Sequence, residues 1–377
     1  MSKKTFTASL AMKELKKNSL TSFLVALIVV LSSATVHAFE VTDTIILDKF
    51  GGYYGVAYDS AKGEIFLTNG DFDLVYVISD STHSVVATIP AGHTPSGIAY
   101  DSAKGELFVT NFGSDSVSVI SDSNYTVVGT IPVGRQPMGI AYDSGKEEIF
   151  VTNYGSDSVS VISDSNYSVV ATIPVGSRPC ALAYDSAKGE MFVGHAGCNQ
   201  VLAISDSTHA VVANITVENQ PISLAYDSGK GEIFVTNFGS DSVSVISDID
   251  YTVVATIPVG SQPTGIACDS VNGQIFVANF NSNSVSVISD SNNTVTANVP
   301  LEGQPQGICY DSGKGEIFVT YSESNRVSVI PASLPLPSPP IPEYPSFIVA
   351  SFLMVTLFLT AILYRGKHQI ETRMRQQ

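Results

Sequence analysis

Cys180, His195 and Cys198 fall in one short stretch and have the side-chain types that could do chemistry. A disulfide between Cys180 and Cys198 would need their Cα atoms within about 7 Å, and an exported domain would permit it. The same thiols with His195 would offer a donor set of the zinc type. Unpaired thiols are the third reading. A second set is spread along the chain: Asp73, Asp115, Asp157, Asn199, Asp241, Asn283 and Asn325 recur at a constant step of 42 residues. Such a ring of carboxylates and amides could bind a cation, calcium included, or a basic partner. Asx side chains in tight loops also bond to their own backbone. His93, Arg135, Arg178 and His195 complete the rim candidates. No HExxH, GxSxG, CxxCH or Walker pattern occurs, so no catalytic residue, metal or cofactor is assigned and a structural calcium lacks further support.

The elements that must position these residues are copies of one unit. YDS begins at Tyr58, Tyr100, Tyr142, Tyr184, Tyr226 and Tyr310, and CDS at Cys268 fills the remaining slot, so the period is 42 at every step. The unit from Pro95 to Gly134 contains four short β candidates, GIAY, ELFVTN, SVSVIS and TVVGTI, each bounded by Gly, Asp, Ser or Pro. None leaves room for a helical crossover. Four antiparallel strands in about 40 residues describe one propeller blade, which buries its faces only against neighbours. The DSAKGE turn supports this: Asp101 can cap its own backbone and Gly105 can take positive φ. The seventh copy lacks a fourth strand, and EVTDTIILD from Glu40 to Asp48 supplies one. The expected fold is all-β, a closed seven-bladed β-propeller of 42-residue repeats over 39–332.

Composition narrows the function. The chain of 377 residues carries 19 basic and 35 acidic side chains, and the stretch from Phe39 to Pro345 holds 10 and 33 of these, a net of −23. That field repels phosphate backbones, which excludes nucleic acid as the expected partner. Cys268 and Cys309 read as small core fillers.

FVTNFGSDSVSVI at Phe108, FVTNYGSDSVSVI at Phe150 and FVTNFGSDSVSVI at Phe234 make the chain resemble the YVTN-type β-propeller repeat proteins, archaeal surface-layer and cell-envelope propellers among them. The resemblance implies the WD40-like scaffold and no shared catalytic constellation. The copies depart from it at Gly194-His195, Val277-Ala278 and Tyr321.

The ends imply export. Residues 1–38 carry five Lys before an apolar run that starts at Phe23 and ends at Ala38, the pattern of a signal peptide. A Pro-rich stalk is expected over 333–345, a transmembrane helix over 346–364 and a basic cytoplasmic tail over 365–377, leaving the propeller outside a single-pass membrane protein. Pro342-Glu343-Tyr344-Pro345 followed by an apolar span and Arg365 resembles archaeal C-terminal sorting signals, which would replace the helix by cell-wall or surface-layer attachment. In an exported glycoprotein the sequons at Asn124, Asn166, Asn214 and Asn292 are glycosylation candidates. The expected role is a surface binding or structural module for an extracellular protein, a glycan or neighbouring envelope subunits. The alternative is a hydrolase resembling metal-dependent propeller lactonases, sited at the channel.

Overall fold

The computed structural model describes residues 39–333. Among them, 28 strands form seven four-stranded antiparallel sheets. Blade two is typical, with strands Pro95–Asp101, Glu106–Asn111, Ser116–Ser121 and Thr126–Pro132 running from the axis outward. Its second and third strands are apolar on both faces because a neighbouring blade covers each face, and Phe108, Val117 and Val119 pack against Ile149, Val151 and Ile162 of blade three. The phase-related Phe66, Phe108, Phe150, Phe192, Phe234, Phe276 and Phe318 are all fully buried. The fourth strand, at the circumference, exposes Val127 and Val128. In the turn between first and second strands, Asp101 Oδ1 accepts the N–H of Ala103 at 2.9 Å, and Gly105 takes φ 68°.

Two faces follow from this connectivity. The upper face carries the blade-to-blade connections and the turns between second and third strands. The lower face carries the YDS turns and the outer hairpins.

The ring closes as the sequence predicts. Asp43–Gly51 pairs antiparallel with Ser324–Pro331, matching Asp43 with Val329 and Ile45 with Val327. The pairing continues three residues beyond the expected Asp48, with a register shift after Ile46. Ile45 and Leu47 enter the core between blades seven and one, against Phe318, Val327 and Ile78. The chain therefore enters and leaves the disc at its lower face.

The expected fold class needs one correction. No helix occurs among the described residues, whose apolar runs are strands of six to nine residues, and none is long and apolar enough to cross a membrane. The transmembrane helix, the single-pass topology and the membrane as a partner are withdrawn, and residues 346–364 themselves lie outside the described part. The signal peptide, the stalk beyond Ser333, the tail and the sorting motif lie outside it as well.

Neighbouring blades are clasped in both directions around the ring at the lower face. On the lower face Lys104 Nζ reaches Asp164 Oδ1 of the next blade at 3.4 Å, and Lys62 and Lys314 repeat this with Asp122 and Asp80. In blade six the lysine is replaced by Asn272, and the acid it would meet is replaced by Ala332. Tyr125 and Tyr167 donate backward to Glu64 and Glu106 at 2.5 Å, and His83 and His209 occupy the same place beside Glu316 and Glu148.

Candidate functional site

The acidic and amide ring of the upper face serves the backbone. Asp73, Asp115, Asp157 and Asp241 take positive φ and accept, through Oδ1, the N–H of Thr94, Gln136, Arg178 and Gln262 at 2.7–3.0 Å. Each thereby fixes the connection into the next blade, by a bond to an N–H 21 residues further on and not to its own loop. The Thr94 N–H holds the Asp73 carboxyl below its usual range. The main-chain carbonyls of Asn199 and Asn283 accept from Val217 and Leu301, and Asn325 donates through Nδ2 to Leu47 O of the closing strand at 3.2 Å. Among the described residues no three His, Cys, Asp or Glu side chains converge on a position that could hold a metal. His93 Nδ1 lies 3.2 Å from both oxygens of Asp73, Arg135 donates to Gly155 O at 2.8 Å, and Arg178 stacks over Tyr154.

The chemistry-bearing residues of blade four do not form one site. Cys180 and Cys198 are both free. Cys198 sits half-buried in the turn before Gln200–Ser205, its Sγ 3.6 Å from Gln200 Oε1. Cys180 is buried on Pro179–Asp185 and donates to Gly194 O and to Pro221 O of blade five, at 3.5 and 3.4 Å. Burial pushes its thiol up to about 12, so it is no thiolate at neutral pH. Its role follows from a missing threonine. Elsewhere Thr68, Thr110 and Thr236 donate to Ser96 O, Met138 O and Thr264 O of the following blade. Blade four has Gly194 in that place and blade six has Ala278. In these two blades the side chain that bonds across the seam comes from the first strand instead, Cys180 in one and Thr264, donating to Pro305 O at 3.1 Å, in the other.

His195 stands where most blades have a buried Asn. Asn111 donates to Ser116 and Ser118, but blade four offers Gln200 and Leu202 at those positions, and neither ring nitrogen of His195, 1% exposed, has a partner. Burial pushes its pKa down. As pH falls below about 6.5 the unfolded chain takes up a proton that the folded blade resists, so stability is lost on acidification. The slope approaches about 1.4 kcal/mol per pH unit until the folded pKa is reached. Thermal melting from pH 7.5 to 5 is expected to fall more steeply for the native protein than for His195→Gln. Asp164, Asp227 and Asp248, raised by burial, act in the opposite sense but are common to both proteins. Parallel curves would assign the acid response elsewhere.

The position where the seven blades differ most lies in the axial channel. Tyr54, Ser96, Met138, Cys180, Ile222, Thr264 and Gln306 form one ring on the first strands, seven residue types at seven equivalent places. Beneath it runs a ring of small residues, glycine in five blades, with Ala181 and Ser223 in the others. An aliphatic ring that includes Ile98, Ile140 and Leu224 follows. The cavity they enclose has a volume of about 290 Å³, and its lining contains no Asp, Glu, Lys, Arg or His. The sequence pointed to the loops and the channel but, of this ring, singled out only Cys180; the signal for the rest was a strand position that refuses the repeat.

These features define a closed seven-bladed β-propeller with an uncharged channel mouth. Among solved structures the chain is similar to hydrazine synthase of Kuenenia stuttgartiensis, at 17% identity and a TM-score of 0.69, covering 77% of this chain and 98% of that one. It is also similar to the β-propeller domain of Cps50 (Swd1) from Myceliophteria thermophila, at 10% identity and a TM-score of 0.66, covering 78% and 100%. At such identities the likeness shows the fold alone. No family model and no curated protein matches the chain.

Proposed function

We propose that this chain is an exported β-propeller of the YVTN repeat kind, as in archaeal surface-layer and envelope proteins, and that it acts as a binding or structural module. Its partner would be an extracellular protein, a glycan or a neighbouring envelope subunit, met through the upper face. One observation carries the reading: the described chain enters and leaves the disc by the lower face, while the position that differs most among otherwise near-identical blades lies toward the opposite face, in the channel mouth beside the varying connections. Binding sites on rigid scaffolds gather at such variable rims. The hydrolase alternative has no support, since the carboxylates of Asp73, Asp115, Asp157 and Asp241 accept backbone N–H groups and no donor cluster forms among the described residues. Residues 1–38 would supply the export signal. Sugars would attach at Asn124, Asn166 and Asn292 in lower-face hairpins, and at exposed Asn214 on the outer edge.

The test is capture of an envelope partner on the immobilised full-length protein. Arg135→Glu with Arg178→Glu, at the upper rim, is expected to weaken capture at least about tenfold, since charge mismatch at an interface costs more than a kcal/mol. Lys146→Glu, exposed in a lower-face turn, is expected to leave it unchanged. Equal effects from the two faces would contradict the assignment.

A further inference from the structure

The channel mouth is asymmetric in a way the repeat does not require. Gln306, Tyr54 and Ser96 come from consecutive blades seven, one and two, and place an amide and two hydroxyls along one arc. Met138 and Ile222, from blades three and five, make the opposite arc apolar. Cys180 and Thr264 are buried, and their polar atoms face the seams, bonded to Pro221 O and Pro305 O. The mouth therefore has a polar side and an apolar side.

Tyr54 is seated by two changes in blade one. Where blades two, three, five and six carry Phe112, Tyr154, Phe238 and Phe280, blade one has Gly70. A Cβ there would stand 2.8 Å from Tyr54 Cε2, and one at Gly52 would stand 2.9 Å from the Tyr54 hydroxyl. The Tyr54 ring thus reaches from the channel lining over the rim of blade one, into the place an aromatic holds in those blades, and only glycine leaves it room. It is held in place yet remains 41% exposed. Burial and the nearby Asp71 push the phenol up, so it stays a hydrogen-bond donor at neutral pH.

We propose that this mouth binds one uncharged, hydroxyl-bearing ring the size of a single sugar unit. The ligand's polar edge would meet Gln306, Tyr54 and Ser96, and its C–H face would lie against Met138 and Ile222. The absence of Asp, Glu, Lys, Arg and His from the lining selects against carboxylates, phosphates and ammonium groups, which would lose hydration without gaining a charged partner. A volume of about 290 Å³ lies at or below the roughly 300–1,000 Å³ of pockets for drug-sized ligands, so it suits one ring and not a chain of them. An apolar wall with a few convergent polar groups is the general build of a small-molecule site. The proposal rests on the binding-module reading and narrows it to a terminal neutral sugar.

The experiment is titration of the full-length protein, by calorimetry and ligand-observed NMR, with methyl glucoside, galactoside and mannoside and with N-acetylglucosamine. Glucuronate and glucosamine serve as charged controls. At least one neutral sugar is expected to bind saturably with one site per chain, at least about tenfold more tightly than either control. Gln306→Leu and Tyr54→Ala are each expected to weaken it about tenfold, the loss of one hydrogen bond or one stacking face. Unchanged melting of Gln306→Leu would show that the fold is intact. Absence of binding by every neutral sugar, equal binding of the charged controls, or indifference to Gln306→Leu overturns the proposal. If the arginine substitutions still abolish partner capture while no sugar binds, this inference falls and the module reading stands. Sugar binding without arginine-dependent capture supports the mouth and removes the rim.

Discussion

Replacing Leu47 by Asp is expected to cost the propeller at least about 4 kcal/mol and to release the closing strand. Leu47 is 2% exposed and sits between blades seven and one with Ile45, Phe318, Val327 and Ile78. A carboxylate there would be set among Ile45, Phe318, Val327 and Ile78, so it must either carry its proton or pull the strand into water. The neighbouring Ile46 is the internal control. It points outward at 61% exposure, so Ile46→Asp is expected to stay within about 0.5 kcal/mol of the native protein. Period-two alternation turns these adjacent positions into opposite predictions. Chemical denaturation reads the loss, and limited proteolysis locates it, with cleavage before Gly51 appearing only in Leu47→Asp. If both substitutions were mild, the strand would not be what shuts the ring. Its release would leave blade seven with an unpaired edge at Ser324–Pro331, a template for association with other chains.

The closing strand could be read from the sequence because the repeats contain no insertions. With seven copies in register, a three-strand copy at one end and a lone β segment at the other leave one arrangement without open edges. The turns were legible for a similar reason, since Asp101 and Gly105 act within their own loop. The contacts that set the seams were not. Lys104 and Asp164 lie 60 residues apart, and Tyr167 and Glu106 lie 61 apart, distances that mean nothing until blades are stacked. The role of Cys180 was hidden for the same reason. Its neighbour in the chain pattern is Cys198, whereas its partner in space is the carbonyl of Pro221 in blade five. The Asx ring was recognised as a ring, but only the geometry shows that the oxygens of Asp73, Asp115, Asp157 and Asp241 already hold backbone N–H groups of the following connection.

The small ring below the mouth yields the second large expected effect. In Gly55, Gly97 and Gly307 the place of a Cβ is 2.3–2.5 Å from a carbonyl oxygen of the next blade, on Ser96, Met138 and Tyr54 respectively. The strand bulges there. Ladder pairing skips Gly97, whose N–H instead donates to Thr110 Oγ1 at 2.7 Å, and the same hydroxyl donates onward to Met138 O. Blades four and five solve the site differently: Ala181 pairs with Gly194 and Ser223 with Thr236, so the register shift falls before the site instead of across it. A side chain is accepted when the backbone is drawn back into its own blade. Gly97→Val would have to impose that withdrawal on a blade whose threonine bonds were built for the bulge, and add two methyl groups against a fixed carbonyl. The expected cost is about 3 kcal/mol, at the upper end for overpacking, read as a lowered denaturation midpoint. Ala181→Gly, which meets no such carbonyl demand, is expected to lose no more than about 1 kcal/mol. Equal costs at the two positions would mean that the close approach of neighbouring backbones is incidental. Unequal costs would show that the channel's width, and with it any ligand the mouth accepts, is set by glycine blade by blade.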